Sequence, residues 1–150
     1  MRPLLIVSFV VTLPLAVSAQ GEKKASPDLM LIQGIWKIVS YKRDGKAADE
    51  PVGTIAEFSE GMVTITRKNG DKKEAKYTLD PSVTPKQFDL TIERDGESEV
   101  AQNIYKLHGD KLTICFSEPG RDLGRPTTFD VDEGDKFELL VLERVKESEE

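Results

Sequence analysis

The chain has 150 residues, with 21 Lys and Arg against 27 Asp and Glu and a formal net charge of −6. So acidic a chain, with few clustered cations, is a poor partner for nucleic acid or an anionic membrane surface, and its charge mainly secures solubility. A single cysteine rules out an internal disulfide, and one cysteine with one histidine falls short of the ligand sets that hold zinc or copper.

The first residues, MRPLLIVSFVVTLPLAVSAQG, have the layout of an export signal over 1–19. Arg2 supplies the positive start, 4–15 the apolar stretch, and Val17-Ser18-Ala19 the small-residue cleavage site. The stretch 4–19 is interrupted by Pro14 and is shorter than the roughly 20 apolar residues of a membrane-spanning helix. The expectation is cleavage near Ala19 and export to the periplasm or the extracellular space, without a membrane span. Removing 19 residues from 150 leaves 131, enough for one domain with its own core, and the loss of Arg2 moves the charge from −6 to −7.

A polar leader, 20–26, comes next. Ser26-Pro27-Asp28 then reads as a helix start, with a capping serine, proline at the first helical position and an acid in the first turn. Gly34 supplies the stop, which predicts a short helix over 27–33 lying on something apolar through Leu29, Met30 and Ile32. Beyond it, β-branched and aromatic runs alternate with turn pairs such as Asp44-Gly45, Asn69-Gly70 and Asp95-Gly96. These predict strands over 35–43, 54–59, 62–68, 74–79, 87–93, 100–107, 111–117, 127–131 and 136–144. An acidic tail, 147–150, ends the chain. Consecutive hairpins with one apolar face each predict an all-β fold over 27–146, a single up-and-down antiparallel barrel of about eight strands.

A turn at His108-Gly109 would pair Tyr105 with Leu112 and Asn103 with Ile114. One face of that hairpin then carries Ala101, Asn103, Tyr105, Leu107, Leu112, Ile114 and Phe116, and the other Ile104 and Cys115. The same alternation turns Phe88, Leu90 and Ile92 to one side, and likewise Phe137, Leu139 and Val141, although Leu140 and Leu142 imply cover on both faces of the last strand. Trp36 points inward with Ile38 and Ser40. A ring of that size beneath a short helix makes a floor for the barrel, with Gly34 leaving it room.

Gly34-x-Trp36 at the start of the first strand, after a helical turn, resembles the lipocalin superfamily pattern. The resemblance implies an arginine stacked on the tryptophan from the last strand, and Arg144 in LLVLERV stands in that place. The segments LIQGIWKIVSYKRDGK, YTLDPSVTPKQFDL, IYKLHGDKLTICFSEPGRDLGRPTTF and ELLVLER more closely resemble a small lipocalin-like family recurrent in exported proteins of planctomycete bacteria. His108 stands where that family usually has an acid, and Asp122-Leu123-Gly124 lengthens a loop. The resemblance implies a fold and an exported location and carries no activity, ligand or catalytic residue.

The chemistry is correspondingly sparse. His108 and Cys115 lie on one hairpin at a separation of over 10 Å, at roughly 3.3 Å per residue, too far for a catalytic pair. The acidic stretch DVDEGD lacks the full calcium loop, and phosphate loops, nucleophile elbows and dinucleotide fingerprints are absent. No cofactor, metal or enzymatic activity is therefore expected. Two readings of the interior stay open. Trp36, Ile38, Phe58, Tyr77, Phe88, Asn103, Tyr105 and Phe116 either line a cavity for a small apolar or amphipathic molecule or interdigitate as a closed core. In the second case the outer surface, with Ile104 exposed beside Cys115, would dock an envelope protein. Arg121 and Arg125 either guard the barrel mouth or pair with nearby acids, and loop arginines of this kind mostly do the latter.

Overall fold

A computed structural model describes residues 26–117 and 123–147. The export segment, the leader before Ser26, Arg121 and the tail beyond Glu147 lie outside the described residues. Helix α1 (Pro27–Leu31) is followed by β1 (Gly34–Arg43), β2 (Lys46–Ala47), β3 (Ile55–Ser59), β4 (Met62–Thr66) and β5 (Lys72–Asp80). The chain continues with β6 (Gln87–Arg94), β7 (Glu97–His108), β8 (Lys111–Ser117) and β9 (Phe137–Arg144). From β3 onward every strand pairs antiparallel with its successor, β3 also pairs with β1, and β9 returns to β1 through Trp36↔Arg144 to Arg43↔Glu138. The wall is therefore an eight-stranded up-and-down barrel, with β2 a two-residue annex on β1. No helix among the described residues is long and apolar enough to cross a membrane.

Two of the tight hairpins follow the turn chemistry directly. Asp44-Gly45 and Asp95-Gly96 both sit at positive φ, the backbone that a two-residue turn between twisted strands requires. The β7–β8 turn differs from expectation. Leu107 pairs with Leu112 and Tyr105 with Ile114, so the loop is Gly109-Asp110, not His108-Gly109. A slip of two residues leaves every side chain on its expected face. It also frees Asp110 to receive the Arg144 amide on its carbonyl and the Arg144 guanidinium on its carboxylate.

Three corrections concern what faces inward. The β1–β9 register shifts between Ile38 and Ser40, a bulge that leaves Ser40 exposed and turns Tyr41 inward in its place. In β9 it is Leu140 and Leu142 that join the barrel core, while Phe137 and Leu139 face outward. The segment 127–131 is not a strand. It crosses the outer wall as part of an irregular strap, where Val131 and Phe129 cover Ile104 and Cys115. Ile104 and Cys115 are fully buried beneath it, so the exposed Ile104 expected on the surface does not exist. β-Branched and aromatic residues read as a strand here because they serve a buried face, which a strap supplies as well as a sheet does.

Candidate functional site

One end of the barrel is sealed from the residues upward. Ser26 caps α1 by accepting from the Asp28 amide, and Leu29 and Ile32 turn toward the core, whereas Met30 is exposed. The helix stops two residues earlier than predicted because its last carbonyls find other donors. Trp36 Nε1 donates to the Ile32 carbonyl at 2.7 Å, and Arg144 donates to the carbonyls of Leu31 and Gln33. The Arg144 guanidinium lies 4.2 Å from the Trp36 ring centroid, and the indole is wholly buried. Gly34, at φ +116°, holds a backbone conformation that L side chains rarely adopt, and a Cβ there would stand 2.9 Å from the Arg144 guanidinium and push it aside. Asp28 closes the plug from the other side, accepting from Lys86 Nζ at 2.8 Å and the Tyr105 hydroxyl at 2.6 Å. Burial alone would raise the Asp28 carboxyl, but the two hydrogen bonds and the Lys86 charge hold it below its ordinary value.

Above this floor Phe58, Tyr77 and Phe88 pack together, with Tyr77 edge-on to Phe58 at 5.3 Å and stacked on Phe88 at 5.8 Å. A cavity of about 180 Å³ then opens along the barrel axis. Its wall is Ile38, Ala56, Phe58, Val63, Ile65, Phe88, Leu90, Ala101, Asn103, Ile114, Phe116, Ser117, Leu140 and Leu142. Of the eight interior residues singled out in the sequence, Ile38, Phe58, Phe88, Asn103 and Phe116 line it. Trp36, Tyr77 and Tyr105 do not. Trp36 and Tyr105 belong to the floor and Tyr77 to the packed layer above it, because height along the axis decides whether an inward ring fills or lines.

Asn103 is the one amide among the described residues of this wall and is 2 % exposed. Its Nδ2 donates to the Ala101 carbonyl at 3.1 Å, while Oδ1 is buried without a hydrogen-bond partner. A buried acceptor left unpaired costs about 1–3 kcal/mol. Few native groups stay so without a reason.

Ile38, Ile65, Phe116 and Leu140 also line a wider vestibule of about 630 Å³, reached by the hairpins at the opposite end from α1. Its polar residues include Arg43, Glu50, Arg67, Lys68 and Glu138. Glu138, on the inward side of β9, is 6 % exposed and accepts from Arg43 Nε at 2.7 Å. Tyr41 stands against the same carboxylate, and burial together with Glu138 holds its phenol well above the ordinary value. This inward acid escapes sequence reasoning, since the alternation assigned to β9 placed it outside. The parity of Leu140 and Leu142 was the signal that could have found it.

Arg125 is not at the mouth. It donates to Asp89 Oδ1 at 2.6 Å and to the Asn103 carbonyl at 2.7 Å, tying the strap to the outer faces of β6 and β7. Burial and the charge of Asp135 push the Cys115 thiol up to about 11, so it is a packed apolar group with little thiolate character. Among the described residues no group of three or more His, Cys, Asp or Glu is placed to hold a metal ion. Comparison with family models, curated proteins and solved structures returns no match.

Proposed function

We propose that the protein is an exported, lipocalin-like binding module that holds a small apolar or amphipathic molecule inside its barrel. The observation that carries this reading is the largely apolar cavity with one unpaired acceptor among the described residues of its wall, Asn103 Oδ1. The volume lies below the roughly 300 Å³ of drug-sized sites, yet a dry apolar cavity of about 150 Å³ accepts benzene. Apart from Asn103 and Ser117 the residues of this wall are apolar, which gives a water few of the two to four partners it needs, so an apolar guest suits the space better. Among the described residues of the wall no nucleophile is paired with a base, which favours binding over catalysis. The alternative reading, a closed core whose outer surface docks an envelope protein, is favoured less by an interior that holds a cavity, and the exposed Ile104 that would have fitted it is covered.

The test is titration of 4-methylphenol followed by amide chemical shifts. Binding should perturb Ala101, Asn103 and Phe116, and Ala101→Leu, which fills the cavity, should abolish it while leaving a folded protein. Absence of binding by the natural chain, or equal binding by Ala101→Leu, overturns the reading.

A further inference from the structure

We infer that the preferred guest is a phenolic carboxylate: an aromatic ring with a hydroxyl at its inner end and a carboxylate at its outer end. The inference rests on the binding reading above and deepens it. The ring follows from the size and lining of the cavity, which is near benzene size and walled by Phe58, Phe88 and Phe116. The inner hydroxyl follows from Asn103. Its partner across the sheet is Phe88, and neither residue lines the vestibule, so Asn103 belongs to the inner part of the cavity. Rotation about χ2, which is soft for an amide, exchanges the Nδ2–Ala101 hydrogen bond for one received by Oδ1 from a guest, and a phenolic O–H supplies that donor where a carboxylate would be repelled.

The outer carboxylate follows from the vestibule. Arg43 and Glu138 neutralise one another there, which leaves Arg67 and Lys68 against Glu50. Among the described residues neither Arg67 nor Lys68 has an ion-pair partner. The Lys68 stem lies 3.3 Å from the space a Gly53 Cβ would occupy, so Lys68 packs against the loop that leads into β3. In a chain of net charge −6, two cations without an ion-pair partner among the described residues outweigh Glu50 beside an apolar opening and form a local site for an anion.

Three probes separate the parts: 3-(4-hydroxyphenyl)propanoate, 3-phenylpropanoate without the hydroxyl, and 4-ethylphenol without the carboxylate. Calorimetry should show the hydroxy acid binding about tenfold tighter than 3-phenylpropanoate, as a buried acceptor gains its donor. It should bind about fivefold tighter than 4-ethylphenol at low salt, a margin that shrinks as salt is added. Arg67→Gln with Lys68→Gln should erase the second preference and leave 4-ethylphenol unchanged, and Asn103→Leu should erase the first. If 4-ethylphenol binds but the acid binds no better, or the preference survives the double substitution, the carboxylate assignment is wrong and the cavity reading stands. If 3-phenylpropanoate equals the hydroxy acid, the hydroxyl assignment is wrong. If none of the three binds, the cavity reading itself fails.

Discussion

The two ends of the barrel share one wall of strands and differ in almost everything inside it. At the closed end, Trp36 Nε1, the Arg144 guanidinium, the Tyr105 hydroxyl and the Asp28 carboxylate all have partners, and the helix they hold leaves no room. Halfway up, the wall is apolar, a cavity of about 180 Å³ opens, and an amide oxygen stands unpaired. The difference teaches that a barrel of this size separates its tasks by height: the filled half supplies stability, and the unfilled half supplies room. Residues of the floor should therefore govern unfolding with little effect on binding, and residues of the upper half the reverse.

The sharpest break of that division is Trp36→Ala, which removes a wholly buried ring and a hydrogen bond and should cost about 3–5 kcal/mol in urea unfolding followed by circular dichroism. Arg144→Leu keeps an apolar cover on the indole but strips donors from two carbonyls, and should cost about 2–3 kcal/mol with a red-shifted Trp36 emission. Asp28→Asn should cost about 1–2 kcal/mol at pH 7, and its pH dependence carries the sign. Because the folded carboxyl is held below its ordinary 3.8, its contribution is complete above that pH and is lost as pH falls through the lower folded value. The natural chain and Asp28→Asn should thus converge in stability below pH 3.8, and a constant gap between them would remove Asp28 from the plug. At the mouth, Arg67→Gln with Lys68→Gln should change stability by no more than about 0.5 kcal/mol, the range for exposed charges. A large loss there would end the division of labour. Cys115 should resist a thiol reagent in the folded protein and react only at the rate of opening.

The barrel was legible because two local signals agreed. Period-two apolar runs set the strands, and Asp-Gly pairs set the turns that make neighbours in sequence neighbours in space. The floor was legible through Gly34 and Trp36, where one residue that leaves room precedes one that fills it. What escaped was whatever depends on more than one strand. A bulge beyond Ile38 has no signature in the residues that form it, yet it turns Tyr41 inward. β9 is apolar on both faces because a strap covers its back, so alternation could not choose the inner one. The cavity residues were half legible. Alternation tells which side chains point in, but whether Tyr105 lines a void or fills a floor depends on what α1 places against it.

The seal at α1 leaves the cavity joined to the vestibule at the opposite end of the barrel. A guest of the proposed kind would pass the residues shared by cavity and vestibule, Phe116 and Leu140 among them, with Arg67 and Lys68 in the vestibule beyond. Residence time would accordingly be set by the side chains at that threshold, not by breathing of the strands, and alterations there could change how long a molecule stays without changing how tightly the barrel is built.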